Sequence, residues 1–114
     1  KVYEELAPII TFDDFIKPDM RVAKVLECEP MPKSKKLLKF KLDLGFETRQ
    51  VLSGIAKYYK PEDMIGKKVI MVANLAPRMM CGEESNGMIL AADAGEDDVK
   101  VIFADGVKPG SKVR

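Results

Sequence analysis

Apolar and polar positions alternate along much of this chain with the period of two that is typical of β-strands. In the clearest stretch, Leu38, Phe40 and Leu42 alternate with polar neighbours. Because successive side chains of a strand point to opposite faces of a sheet, this pattern buries the apolar set and turns the intervening lysines outward. Further strands are predicted where β-branched and aliphatic residues lie between turn residues, at 20–29, 48–52, 67–75, 88–92 and 99–104.

Two helices of about one turn are also predicted, one before the first strand and one between the third and fourth strands. Thr11 and Asp14 have the spacing of a capping box, and the helix that they begin ends before Pro18. In the second helix, Pro61 occupies the first helical position, acidic residues follow in the first turn, and Gly66 stands just past the end. Both helices are too short to contribute more than connections to a β-fold.

The predicted order is three strands, a short helix, a strand, a long loop, a strand and C-terminal additions. This is the order of an all-β, five-stranded OB-fold Greek-key barrel with short helices, a fold that binds oligonucleotides or oligosaccharides on one strand face and its adjoining loops. Barrel closure removes exposed strand edges, which accounts for so many strands in so few residues. An SH3-like barrel and an open sandwich fit the same set of strands.

The chain is expected to contain one domain, residues 12–114, preceded by a lead-in, residues 1–11. Its 114 residues suffice for one core without disulfides or a structural metal. In the lead-in, Pro8 stops any helix, and Ile9 and Ile10 are expected to pack on the domain as an anchor. Because the first residue is Lys1 and not methionine, we expect the chain to be part of a larger protein.

Composition excludes several classes of function. With 46% hydrophobic and 32% charged residues, and without an apolar run of 18 residues or a signal peptide, the chain is expected to be soluble and cytoplasmic. It has no histidine, which removes Ser-His-Asp and Cys-His chemistry. Cys28 and Cys81 are far apart and form no zinc motif. We therefore expect no metal, no cofactor and no enzymatic activity.

The charge is polarised along the chain, although the net charge is only +1. Five lysines lie within residues 33–41 with no acid between them, whereas acidic residues concentrate at 93–98, where a turn is predicted. Since nucleic-acid affinity comes largely from phosphate neutralisation, the lysine run would engage several phosphates in a row. It fits a solvated face equally well.

Residues 76–87 are predicted to form a loop of about a dozen residues, a length that is usually functional in a compact domain. In and around this loop, Asn74 and Ser85 offer polar groups. Met79, Met80 and Met88 offer polarisable surface or simply close the end of the barrel. Tryptophan is absent, so no strong stacking platform is expected. RNA recognition would then depend on phosphates and shape rather than on splayed bases.

Six motifs occur in order along the chain: MRVAKV at 20–25, LLK at 37–39, DLG at 43–45, RQVLSGIA at 49–56, VANL at 72–75 and ESNGM at 84–88. Together they resemble the tRNA-binding domain appended to bacterial methionyl-tRNA synthetases, and the similarity runs from Phe12 to Arg114. The same family includes free-standing tRNA-binding proteins, the endothelial monocyte-activating polypeptide and a small export-related chaperone.

This resemblance implies a non-catalytic OB-fold homodimer that binds tRNA by its L shape. It also implies that the chain raises the tRNA affinity of a synthetase catalytic body in the same polypeptide. A chaperone-like protein-interaction module is the alternative. Carried over by position, the RNA-binding residues that the family implies are Lys33, Lys35, Lys36, Lys39, Arg49, Ser53, Asn74, Arg78, Ser85 and Met88.

Two positions depart from the family pattern. Met31 stands where relatives often carry a histidine before the proline, and residues 79–81 are Met-Met-Cys where relatives often have a basic residue before the loop glycine. Arg78 is therefore expected to be the residue of this loop that contacts phosphate.

Overall fold

A computed structural model of the protein describes residues 3–114 and shows a fold made mostly of β-strands. In this part of the chain neither helix exceeds four residues, and none could cross a membrane. The elements are α1 (Phe12–Phe15), β1 (Met20–Met31), β2 (Ser34–Asp43), β3 (Thr48–Ser53), α2 (Pro61–Met64), β4 (Lys68–Val72), β5 (Arg78–Met80), β6 (Glu83–Ser85), β7 (Met88–Ile89), β8 (Ala91–Gly95), β9 (Asp98–Val101) and β10 (Lys112–Val113).

The main sheet is antiparallel and has the strand order β3-β2-β1-β4-β7, with β10 added beside the start of β1. The first part of β1 pairs with β4 and its later part pairs with β2. The β1–β2 register shifts between Val25 and Glu27 and again after Pro30, and such irregularities bend a strand. Because it is bent, this strand of 12 residues can pair with β4 through its first part and with β2 through its later part, and so curve the sheet. This is the OB-like arrangement that the pattern predicts.

The core lies inside the curved sheet and follows the predicted alternation. Leu38, Phe40 and Leu42 are at most 1% exposed. Met64 of α2 is also fully buried and belongs to the same core cluster as Val69 of β4. The short helix between β3 and β4 therefore closes one end of the core.

The sheet does not close into a complete barrel. Within residues 3–114, no strand ladder joins β3 to β7, the two ends of the sheet. Individual hydrogen bonds cross the gap instead: the Asn86 amide donates to the Gln50 carbonyl (2.8 Å), and the Leu52 amide donates to Ser85 Oγ (3.0 Å). We call this gap, with the residues 84–87 that cross it, the seam.

The predicted loop at 76–87 is partly wrong, because β5 and β6 pair there as a hairpin. Its two-residue turn consists of Cys81 and Gly82, with φ of 50° and 82°, the conformation of a type I′ turn. Asn-Gly or Asp-Gly normally signals such a turn. Cys-Gly gives no such signal, which is why the pattern predicts a loop.

The strand predicted at 88–92 is divided in the structure. Met88 and Ile89 continue the main sheet beside β4, whereas β8 leaves it and pairs with β9 in a separate hairpin. The predicted strand at 99–104 is β9 followed by an isolated bridge between Phe103 and Val69. The acidic turn between β8 and β9 is confirmed, with Glu96 and Asp97 at its tip.

The N-terminal helix is confirmed, but the lead-in does not pack as predicted. Thr11 Oγ1 accepts from the Asp14 amide (3.3 Å), and the Asp14 carboxylate accepts from the Thr11 amide (3.4 Å). Residues 3–10 form neither helix nor strand. Ile9 and Ile10 are 100% and 60% exposed, so the predicted anchor is wrong because the described chain leaves most of their surface uncovered. Residues 1 and 2 of the predicted lead-in lie outside the described residues.

The C-terminal additions are held against the start of the sheet. Arg21 donates to the Gly110 carbonyl (3.0 Å) and to Asp19 Oδ1 (2.7 Å). Gly110 has φ of 89°, and a Cβ there would lie 2.4 Å from the Leu44 carbonyl oxygen. A glycine is therefore required where the two backbones meet.

Candidate nucleic-acid interface

Three lysines at the β1–β2 hairpin are free cations within the described part of the chain. Lys33 lies in the turn, and Lys35 and Lys36 follow Ser34 at the start of β2. All three are exposed, and none of them forms an ion pair with another residue between 3 and 114. Ser34 Oγ accepts from the Lys36 amide (3.2 Å), which orders the backbone at this point. We call Lys33, Lys35 and Lys36 the lysine tip.

The next predicted lysine along β2 is paired with acids. Lys39 Nζ lies 3.0 Å from Glu29 Oε1 and 3.5 Å from Glu83 Oε2. Hydrogen bonding to Glu29 is the main reason why the pKa of Lys39 is raised. The lysine run contains no acid in sequence, but neighbouring strands bring acids to it in space. Lys39 must therefore leave Glu29 and Glu83 before it can bind a phosphate.

Arg49 lies 19% exposed at the end of the main sheet and binds the protein itself. Its Nη1 donates to the Ala73 carbonyl (2.9 Å) and to the Asn86 carbonyl (3.2 Å). Its Nε pairs with Glu47. These contacts join β3 to the end of β4 and to the seam, so Arg49 positions the backbone around the site.

Ser85 and Asn74 also make their hydrogen bonds inside the protein. Ser85 is 4% exposed, and its hydroxyl, besides accepting from Leu52, lies 3.3 Å from the Gly87 carbonyl oxygen. Asn74 Oδ1 accepts from the Asp19 amide (2.7 Å), and its Nδ2 donates to the Lys17 carbonyl (2.8 Å). Asn74 thus ties the end of β4 to the segment after α1.

A cavity of about 590 Å³ lies beside the seam, between β3, the β5–β6 hairpin and β7. It brings together four of the ten sequence-predicted residues, Ser53, Arg78, Ser85 and Met88. A smaller cavity of about 280 Å³ on the outer strand face is lined by two others, Lys39 and Arg49, together with acids and Gln50. The predicted set is therefore divided, because the three residues of the lysine tip and Asn74 line neither cavity.

The larger cavity and the lysine tip lie at the same end of the fold. Met31 and Leu37 flank the tip and form a buried cluster with Leu52, against which Met80 packs. Leu52 and Met80 also line the cavity. One apolar wall therefore separates the lysine tip from the cavity, and Arg78 lies on the cavity side of it.

Sequence reasoning missed Gln50 and Glu83. Gln50 Nε2 donates to Glu83 Oε1 (3.1 Å) and to the Glu84 carbonyl (3.0 Å), and so fastens the β5–β6 hairpin to β3. The alternation in β3 could have placed Gln50 on the outer face beside Lys41, its partner in the ladder. Nothing in the sequence places Glu83 there, because the hairpin itself has no clear turn signal.

Residues 20–112 match the family model described as "Putative tRNA binding domain". The methionine–tRNA ligase of Chloroherpeton thalassium is 57% identical over 104 residues, which cover 91% of this chain. That of Clostridium acetobutylicum is 57% identical over 114 residues, which cover 97% of it. The chain spans only 15% and 18% of these two enzymes.

The fold is also similar to those of solved structures. The MetRS-related protein of Pyrococcus horikoshii has a TM-score of 0.90 and 36% identity, over 95% of this chain and all of that one. The chaperone CsaA of Bacillus anthracis has a TM-score of 0.84 and 27% identity, over 94% of this chain and all of that one. The fold and these comparisons thus define a nucleic-acid-binding module of OB-like architecture. The chain belongs to the tRNA-binding domain family, and is related to methionine–tRNA ligase segments and to CsaA proteins.

Ser85→Ala is expected to lower the free energy of unfolding by about 1–3 kcal/mol, because the buried Leu52 amide would lose its acceptor. Ser53→Ala is the matched control. Its half-buried hydroxyl has no hydrogen-bond partner in the described chain, so its free energy of unfolding should stay within about 0.5 kcal/mol of the parent. Urea unfolding of both variants measures the difference, and equal losses would contradict the role given to Ser85.

Proposed function

We propose that this chain is the tRNA-binding and dimerisation module of a cytoplasmic methionine–tRNA ligase, and that it raises the tRNA affinity of a catalytic body in the same polypeptide. The single observation that carries the proposal is the lysine tip with Arg78 nearby, in a chain 57% identical to segments of two such ligases. A site that must bind phosphates needs cations that no carboxylate already occupies.

In this proposal the lysine tip and Arg78 meet phosphates, and the counterions that they release supply most of the affinity. Lys39 joins them by exchanging its carboxylate partners for a phosphate. Arg49, Asn74 and Ser85 act by holding the backbone, while Ser53 and Met88 face the RNA from the cavity. Once the module holds the tRNA, docking of the acceptor end on the catalytic body becomes intramolecular, so that a weak contact increases overall affinity.

Binding of mixed tRNA is expected to weaken steeply with salt. If roughly 4–6 phosphates are contacted, log K falls with log salt at a slope of roughly −3 to −5. Replacing all three residues of the lysine tip by glutamine should make this slope shallower by roughly 2–3, because each phosphate contact contributes about 0.7–0.9. Filter binding across a salt series measures both slopes.

The matched control replaces Lys24, Lys67 and Lys112 by glutamine. This variant has the same net charge as the first. The three lysines that it replaces are exposed and lie beside the first part of β1, away from the tip, because Lys24 pairs with β4, Lys112 pairs with Arg21, and the Lys67 carbonyl accepts from the Val25 amide. The control should keep the parental slope. If the two variants have equal slopes, net charge and not the lysine tip determines binding, and the proposed site is wrong.

The proposed dimer uses the apolar surface of the N-terminal segment. In soluble proteins a contiguous exposed apolar patch of this kind usually marks an interaction surface. Nothing in the described chain covers it, and a second copy of the chain would. Its exposed members include Leu6 at 99%, Ile9 at 100%, Ile10 at 60% and Phe12 at 73%.

Analytical ultracentrifugation at micromolar concentration is expected to show a species of twice the 12.7 kDa chain mass. Ile9→Asp combined with Phe12→Asp should reduce it to a monomer, because a charge at a buried apolar contact is strongly unfavourable. Ile65→Asp, at an exposed isoleucine after α2, is the control and should remain a dimer. A 12.7 kDa species for the parent chain would contradict the dimer.

A protein-interaction role is the second candidate, and the similarity to the chaperone CsaA favours it. Competition separates the two functions. If an apolar peptide binds and tRNA displaces it, the two ligands share the site beside the lysine tip. Peptide binding without tRNA binding would overturn the leading proposal.

A further inference from the structure

We propose that the cavity beside the seam receives one unstacked nucleobase of the bound RNA, while Arg78 contacts the adjoining phosphate. This inference rests on the proposed tRNA-binding function and adds a contact to it. Without tryptophan, the sequence favours recognition by phosphates and shape alone. The cavity adds a place where a base can be held.

The cavity has the size and the walls that a planar heterocycle requires. Its volume of about 590 Å³ lies within the ~300–1,000 Å³ typical of small-ligand sites. Its walls are mainly apolar and include two methionines, Met80 of the β5–β6 hairpin and Met88 of β7. Methionine sulfur makes favourable contacts with aromatic rings, so these walls suit the faces of a base.

The cavity also has a polar group that the protein does not use. Ser53 lines it, and among residues 3–114 its hydroxyl has no hydrogen-bond partner. The other hydroxyl in the wall, that of Ser85, is occupied by the backbone of Leu52 and Gly87. A hydroxyl in an apolar cavity gains from a ligand that brings a donor or an acceptor. The edge of a nucleobase supplies both.

The charges nearby favour a nucleotide over an apolar peptide side chain. Arg78 is exposed and forms no ion pair within the described part of the chain. The lysine tip lies across the wall formed by Leu52 and Met80. An apolar side chain would fill the cavity but leave Ser53 and Arg78 without partners. A nucleotide satisfies both, and its neighbouring phosphates reach toward the tip.

The experiment uses two RNA hairpins with identical stems, one fully paired and one with a single unpaired nucleotide in the stem. Each competes with labelled tRNA for the 114-residue chain. The bulged hairpin is expected to displace tRNA at a concentration roughly tenfold lower, in keeping with the energy of one base contact. Equal displacement by both hairpins, or none by either, overturns the proposal.

Ala76→Phe tests whether the cavity causes the preference. Ala76 is exposed and lines the cavity, so a phenyl ring there fills the space without removing a wall. The variant should lose the preference for the bulged hairpin and keep its affinity for the paired one. Ala92→Phe, at an exposed position on β8, is the control and should keep the preference.

Two further outcomes separate this inference from the proposed function. If the parent chain binds no tRNA at all, the proposed function fails, and the inference fails with it. If Ala76→Phe keeps the preference for the bulged hairpin but loses binding of an apolar peptide, the cavity belongs to a peptide and the inference is overturned while tRNA binding stands.

Discussion

The candidate site depends on how the protein holds β3 to β7, the two ends of the main sheet, which no ladder joins in the described chain. An open sheet edge leaves backbone amides and carbonyls that need partners. Ser85 and Asn86 provide partners for β3, and Arg49 binds the carbonyls of Ala73 and Asn86 together. Because side chains and single hydrogen bonds bridge the seam, space remains beside it, and that space is the larger cavity.

The seam also explains a sequence motif in physical terms. Gly87 has φ of 139°, and a Cβ there would lie 2.4 Å from Met71 Cε and 3.1 Å from the Val72 carbonyl oxygen. Only glycine allows the chain to pass this close to β4. Ser85, two residues earlier, accepts the hydrogen bond from β3. The segment ESNGM at 84–88 therefore first connects β3 to the end of β4 across the seam. By doing so it also shapes the candidate binding site.

Residues that the family resemblance assigns to RNA binding can serve the same site in different ways. Arg49, Asn74 and Ser85 are occupied by the protein's own backbone, and so they shape the site. The lysine tip and Arg78 have no such partners in the described chain and are available to a ligand. Lys39 lies between these cases because two carboxylates hold it. In this account the lysine tip and Arg78 supply most of the affinity for RNA, while the residues at the seam fix the shape of the site.

The sequence predicts the parts of this structure that local physical chemistry determines. The capping box at Thr11 and the alternation in β2 need only neighbours in sequence, and both are confirmed. The β5–β6 hairpin is missed because its turn places Cys81 at positive φ, a conformation that side chains other than glycine rarely adopt. The ion pairs of Lys39 are missed for a related reason, since one partner lies in that hairpin. Ile9 is predicted to be buried because it is apolar, yet it is exposed in the structure. An apolar side chain favours burial, but its sequence does not show which surface it packs against.

Amide hydrogen exchange of the chain with and without tRNA tests the central claim most directly, because it reports every segment in one experiment. The account predicts that tRNA slows exchange around the lysine tip, at 31–37, and around the cavity, at 75–80, and leaves the β8–β9 hairpin unchanged. Slowing confined to the β8–β9 hairpin or to residues 3–16, with no change at the lysine tip or the cavity, would contradict it.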